Sequence, residues 1–295
     1  MKNAISINSA TDQAWRVAKL MLVGIFAIAF FGFASPTRAI ELDYAVFGDG
    51  DGAVYAIKAD GTLQWFQHYN RLVGTSGWAN GGIAKNVGVG WSGVTKAFSG
   101  GDGVVYVVTA NGDLRWYRHD GRFTGTAVWG VNVGGTTVGV GWGSFTKVFS
   151  GGDGVIYAIQ ADGILRWYRH TGWLTGANTW AAGSGAQIGT GWNSFSKVFS
   201  GDDGVIYGIQ ANGILRWYRH DGRLDGTFNW AAGSGAQIGT GWQNFRQVFS
   251  SGDGILYAAQ PTGSLLWYRH AGWLSGANSW AAGSGTQIGS GWIVP

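Results

Sequence analysis

Apolar and polar positions change period several times within each stretch of roughly fifty residues. Val155-Ile156-Tyr157-Ala158-Ile159 is a nearly unbroken apolar run, as expected of a strand covered on both faces. Asp162-Gly163 follows, a pair that tolerates the positive φ angles of a tight hairpin turn, and Asn111-Gly112 and Asn212-Gly213 hold the same place in other copies. The next stretch alternates, with Leu165, Trp167 and Arg169 on one face and Arg166, Tyr168 and His170 on the other. Upstream, Lys147-Val148-Phe149 leads into a Gly-Gly-Asp-Gly turn. Downstream, a loop rich in Gly, Thr, Asn and Ser gives way to the short segment Ala186-Gln187-Ile188-Gly189, ahead of Trp192. The pattern predicts four strands per unit.

The unit recurs. Trp65, Trp116, Trp167, Trp217 and Trp267 stand at intervals of 51, 51, 50 and 50 residues, and His68, His119, His170, His220 and His270 keep the same beat. Tyr55, Tyr106, Tyr157, Tyr207 and Tyr257 form a further series, as do Trp78, Trp129, Trp180, Trp230, Trp280 and Trp91, Trp142, Trp192, Trp242, Trp292. Only Trp173 and Trp273 fall outside these series after residue 40. Such a unit cannot bury both of its faces alone, so its copies must pack on one another around an axis. The fold expected is all-β: a single five-bladed β-propeller of four-stranded blades over residues 40–295, with repeats at about 43–92, 93–143, 144–193, 194–243 and 244–295. The chain break then falls between blades, so closure of the ring must rest on side-chain packing of the fifth unit against the first.

Residues 1–39 read differently. A basic stretch with Arg16 and Lys19 precedes an apolar run from Leu20 to Ala34, and the small residues Thr37 and Ala39 suit a signal-peptidase site. The run is shorter than the ~20 residues that span a bilayer as a helix. The expectation is a signal peptide over 1–39 and a secreted or periplasmic mature chain that is not membrane-embedded; the alternative is an uncleaved membrane anchor.

Composition and charge narrow the function. The chain has 295 residues, 54 of them Gly and 18 Trp, with no Cys; disulfides are therefore unavailable, but the length suffices for a core without them. Of 20 basic and 16 acidic residues, four basic ones (Lys2, Arg16, Lys19, Arg38) and one acid (Asp12) precede residue 40. The remainder has a net charge of only +1, which argues against a phosphate-neutralising surface and against nucleic acid as a partner.

Candidate chemistry is limited by the repetition. Five His residues on five blades are too dispersed to share a metal ion, and each reads as a strand-end residue bonding a neighbouring loop. Asp51, Asp102, Asp153, Asp203 and Asp253 adjoin Gly in a turn, where a carboxylate is expected to cap its own backbone. Gly48-Asp49-Gly50-Asp51-Gly52 resembles part of a calcium loop, but the other copies lack the second acid at that spacing and the closing Glu. Catalysis usually requires unlike groups with pKa values pushed apart in one cleft, whereas a ring of near-copies offers like groups. Neither an enzyme nor a cofactor is expected. Trp180 follows a Gly-Ala-Asn-Thr loop, so its ring is placed to cover the C–H face of a sugar, with Asn178 and Gln187 supplying donors and acceptors. The alternative for both loop Trp series is that they wedge adjacent blades.

Asn178-Thr179-Trp180, then Ile188-Gly189-Thr190-Gly191-Trp192, Phe195 and Val198-Phe199, resemble the repeat of the tachylectins, five-bladed lectins for N-acetylglucosamine and N-acetylgalactosamine. The resemblance runs from about Ile40 to Trp292. It implies sugar pockets between neighbouring blades, built around the Asn-Trp loop and the family's Ile-Gly-x-Gly-Gly-Trp turn. By that likeness the third pocket takes Asn178, Trp180, Ile188, Gly191 and Trp192; the fourth Asn229, Trp230, Ile238, Gly241 and Trp242; and the fifth Asn278, Trp280, Ile288, Gly291 and Trp292. Trp78, Trp91, Trp129 and Trp142 are the weaker counterparts in the first two copies, which lack the Asn and have one more residue between their two loop tryptophans. The turn here has one Gly fewer than the family's usual form. A second resemblance, carried by Gly154-Val155-Ile156-Tyr157-Ala158 with Asp162-Gly163 and Trp167, is to the repeats of quinone-dependent dehydrogenase propellers and outer-membrane assembly scaffolds. It implies a propeller that mediates protein–protein interaction.

Overall fold

The computed structural model describes residues 45–130 and 134–292; the expected signal peptide, residues 1–39, lies outside them. Twenty strands form five antiparallel sheets, each made of four strands consecutive in sequence. The first blade holds β1 (Val46–Asp49), β2 (Ala53–Ile57), β3 (Leu63–Gln67) and β4 (Lys85–Gly88), and the second β5 (Val94–Gly101), β6 (Val104–Thr109), β7 (Leu114–Arg118) and β8 (Thr136–Gly139). The third holds β9 (Lys147–Gly152), β10 (Val155–Ile159), β11 (Leu165–Arg169) and β12 (Ala186–Gly189). In the fourth are β13 (Phe195–Asp202), β14 (Val205–Gln210), β15 (Leu215–Arg219) and β16 (Ala236–Gly239); in the fifth, β17 (Gln247–Ser250), β18 (Ile255–Ala259), β19 (Leu265–Arg269) and β20 (Thr286–Gly289). The first strands β1, β5, β9, β13 and β17 neighbour one another around the axis and line the central channel.

The unbroken apolar runs are the second strands. Val155, Ile156, Tyr157, Ala158 and Ile159 are all fully buried, as a strand covered by a blade on each face must be. The third strands alternate because their two faces meet different neighbours. In β11, the Trp167 indole N–H donates to the Arg223 carbonyl of the following blade at 2.7 Å, whereas the Tyr168 ring packs 4.7 Å from Trp142 of the preceding one. The five tryptophans of the Trp167 series are at most 2% exposed. Each presses on a loop glycine of the next blade: a Cβ on Gly176, at φ +75°, would stand 2.5 Å from the Trp116 ring. That position tolerates neither the side chain nor an ordinary backbone conformation.

Each histidine is a buried junction. The His170 Nδ1 accepts from the Tyr106 hydroxyl of the preceding blade at 2.7 Å, and Nε2 donates to the Ala177 carbonyl at 2.7 Å. The other four repeat both bonds within 2.7–3.0 Å. Burial holds all five imidazoles below the usual histidine pKa.

The turn acids depart from expectation. Asp102, Asp153, Asp203 and Asp253 adopt left-handed φ angles of 48–53°, but several of their carboxylates reach arginines instead of capping their own backbone. Arg223 spans Asp153 and Asp203 at 2.8 and 2.9 Å, Arg122 meets Asp102 at 3.1 Å, and Arg71 meets Asp253 at 2.7 Å. In the third and fifth blades the position of these arginines is taken by Trp173 and Trp273, whose carbonyls receive the indole N–H groups of Trp116 and Trp217. The backbone carbonyl is the constant part of that contact, and the side chain is free to vary.

Candidate functional site

The last segment of each blade meets the long loop of the next. Between the first and second blades the two enclose a cleft with a volume of ≈ 690 Å³, lined by the Val87–Trp91 turn, Thr109, Asn111, Arg115, Tyr117 and Trp129. Its aromatic wall recurs at every junction. Trp142 and Trp180 lie 5.8 Å apart with Tyr168 beside them, Trp192 and Trp230 5.9 Å apart with Tyr218, and Trp242 and Trp280 5.8 Å apart with Tyr268. Trp292 and Trp78 lie 5.7 Å apart, with Phe66 in place of the tyrosine.

This geometry regroups the residues that the resemblance collects. Asn178 and Trp180 face the second blade, whereas Gly191 and Trp192 face the fourth, so the two halves of one repeat serve two different clefts. The cause is topological. The loop carrying Trp180 follows β11 and the turn carrying Trp192 follows β12, and the two tryptophans leave opposite faces of the same sheet. The indole N–H groups fix the pairing: Trp180 donates to the Val138 carbonyl at 3.0 Å, Trp230 to Ile188 at 3.0 Å, Trp280 to Ile238 at 3.0 Å, Trp129 to Val87 at 2.7 Å and Trp78 to Ile288 at 2.7 Å. The side chains of Ile188, Ile238 and Ile288 are fully buried and their carbonyls are engaged by these indoles. They belong to the core behind the clefts and present no side chain to a ligand.

The loop tryptophans divide by burial. Trp91, Trp142, Trp192 and Trp242 are 4–7% exposed, so the wedge role describes them. Trp180 and its counterparts are half-buried: a histidine ring lies 4.5–5.0 Å from each, and the second tryptophan stands near. They act as wedges too, with only part of the indole left to the cleft. Gly191, Gly241 and Gly291 sit exposed at the rim with φ of 76–82° and open space where a Cβ would be. Asn178 and Asn278 accept the indole N–H of Trp180 and Trp280 at 2.9 and 3.0 Å. That bond uses the amide oxygen and leaves the NH₂ as the outward donor.

Two wall positions were not singled out from sequence as binding residues. Tyr117, Tyr168, Tyr218 and Tyr268 line the clefts, and so do arginines. Arg166 bonds Gln160 at 2.9 Å and the Gly185 carbonyl at 2.9 Å, and Arg216 does the same with Gln210 and Gly235. Arg115 faces Thr109 where those have Gln, and its buried Nε has no hydrogen-bond partner among the described residues. The signal was present, since Arg166 and Tyr168 share a face of the alternating strand.

The family model for Tachylectin matches residues 7–134 and 74–294, its first match beginning inside the expected signal peptide. No curated protein matches the chain. Among solved structures, it is similar to a symmetrical protein of de novo evolutionary emergence, with 24% identity over 82% of this chain and 95% of that one and a TM-score of 0.53. At that identity the likeness bears on fold alone. Weaker similarities are to Prp20p from Saccharomyces cerevisiae (10% identity, 82% and 62% of the two chains, TM-score 0.40) and to the WD40 propeller domain of Doa1 (11%, 78% and 66%, TM-score 0.34). With two family-model matches that together span nearly the whole sequence, on a ring of five four-stranded blades, the chain belongs to the Tachylectin family, whose members are lectin-like carbohydrate-binding proteins.

Proposed function

We propose that this protein is an exported, non-enzymatic, multivalent lectin for N-acetylated hexosamines, held in the clefts between neighbouring blades. The observation that carries the reading is the cleft itself, which combines an aromatic wall with peptide groups of a Gly-rich turn and a small set of fixed polar groups. An acetamido group needs such a pair of surfaces: an apolar patch for its methyl group and both a donor and an acceptor for its amide. Repetition supports binding over catalysis, because like groups in like surroundings do not provide an acid and a base of different pKa. Export rests on the sequence of residues 1–39.

The test is a glycan array followed by calorimetry with N-acetylglucosamine, glucosamine and glucose. Saturable binding that requires the acetamido group supports the lectin reading. A blank array, with binding to protein partners only, would favour the scaffold reading instead.

A further inference from the structure

The clefts are not the only polar opening on their face. The chain runs directly from the turn at Trp142 through Phe145 to Lys147, at the start of the innermost strand β9, so the clefts and one mouth of the central channel lie at the same end of the propeller. That mouth is a funnel of ≈ 410 Å³ into which Lys96, Lys147, Lys197 and Arg246 come from four different blades. Among the described residues no carboxylate lines it. At the opposite mouth Asp202 stands among the Ser99, Ser150 and Ser250 positions.

Like charges brought together in a partly desolvated funnel repel, and nothing in propeller packing requires them at this position; Ala45 and Gln247 fill the places equivalent to Lys147 in the other two blades. Lys96 and Lys147 are half-buried, and burial lowers their ammonium pKa values. The hydroxyls nearby are committed inward: Thr95, Thr146 and Ser196 donate to the Val108, Ile159 and Ile209 carbonyls at 2.9–3.0 Å. Recognition in the funnel therefore falls to the Lys96 and Lys147 ammonium groups and the Arg246 guanidinium above an aliphatic floor that includes Val148 and Val248, where a low local dielectric strengthens their attraction for an anion.

We propose that this funnel is a binding site for a tetrahedral oxyanion, a phosphate group either free or carried by a glycan whose sugars occupy the surrounding clefts. The site stands on its own geometry and does not depend on the sugar reading. Calorimetry of the full chain with inorganic phosphate, which contains no sugar, tests it separately. Phosphate should bind, should bind less tightly as sodium chloride is raised, and should weaken roughly tenfold or more in the Lys96→Gln, Lys147→Gln double variant. Lys147→Arg keeps the charge and should stay within about threefold of the parent. N-Acetylglucosamine 6-phosphate identifies the source: tighter binding than inorganic phosphate marks a glycan-borne group, and equal binding a free one. No phosphate binding, or equal binding by the parent and the double variant, would overturn the proposal.

Discussion

The Tyr257 hydroxyl lies 2.8 Å from Nδ1 of His68, so the last blade meets the first through the same buried bond that joins every other neighbouring pair. Trp267 donates to the Arg71 carbonyl at 2.7 Å and Trp78 to the Ile288 carbonyl at 2.7 Å across the same seam. Among the described residues, no sheet mixes strands from the two ends of the chain. Their part in closing the ring is played by side chains and by bonds from side chains to backbone carbonyls.

Closure should therefore be sensitive to single side chains. Tyr257→Phe leaves a buried imidazole acceptor unpaired, at a cost of about 1–3 kcal/mol, and the urea midpoint should fall accordingly. Truncation from Gly289 removes Trp292, whose ring lies 4.7 Å from Phe66 and 5.7 Å from Trp78, and should lower the melting temperature substantially. An unchanged melting temperature in the truncated chain would show that the seam does not depend on this packing.

The five histidines also set an acid limit. Burial lowers each folded-state pKa, so below about pH 6.5 the unfolded chain binds protons that the folded chain refuses, and stability falls as pH falls. Two acids oppose this. Burial pushes Asp49 up to about 6 and raises Asp202, so each folded carboxyl holds a proton that the unfolded one releases, and their contribution falls as pH rises through that range. Each group contributes at most about 1.4 kcal/mol per pH unit, and five outweigh two. Denaturant titrations at pH 7.5 and 5.5 should show a clear loss at the lower pH, and equal midpoints would contradict the assignment.

Wedge and ligand roles can be separated by substitution. Trp230→Ala removes an indole that bridges two blades through the Ile188 carbonyl, so it should lower stability by about 2–4 kcal/mol as well as binding. Asn178→Ala removes an exposed amide whose oxygen accepts the Trp180 indole N–H. It should weaken N-acetylglucosamine binding several-fold while changing stability by less than about 1 kcal/mol. A large stability loss in Asn178→Ala would make that amide a structural prop.

The repeat made much of this legible. The spacing of the Trp167 and Tyr157 series announces five equivalent units, and the run Val155 to Ile159 against the alternation Leu165 to Arg169 separates the doubly covered strand from the one whose faces differ. What sequence periodicity does not contain is which neighbour each face meets. Trp180 and Trp192 are twelve positions apart and repeat in step, so they read as one pocket. Only the paths of β11 and β12 send them to opposite sides of a blade. The turn aspartates differ from expectation for a related reason: their backbone conformation is local and follows from Asp-Gly, but Arg223 comes from the loop after β15, at the same end of its blade, and also reaches into the adjacent blade.

The regrouping changes which clefts should be strongest. The cleft between the second and third blades joins Asn178, Arg166 and Tyr168 to the Trp142 turn, and the next joins Asn229, Arg216 and Tyr218 to the Trp192 turn. The fourth-to-fifth cleft keeps Asn278 and Tyr268 but has Leu266 where the others have Arg. The first-to-second cleft retains Arg115 and Tyr117 but has Ala127-Val128 ahead of Trp129, and the closing cleft has Ser76-Gly77, Gln64 and Phe66. Each lost hydrogen bond, at about 1 kcal/mol net, weakens a site several-fold, so the closing cleft should be weakest and the three Asn-bearing clefts should dominate. Calorimetry with monovalent N-acetylglucosamine should fit about three sites per chain, and clustered glycans should bind about 10²-fold more tightly through avidity. Leu266→Arg restores the missing guanidinium and should strengthen the fourth-to-fifth cleft alone. A clean fit to five equivalent sites in the parent chain would show that these wall residues do not touch the sugar.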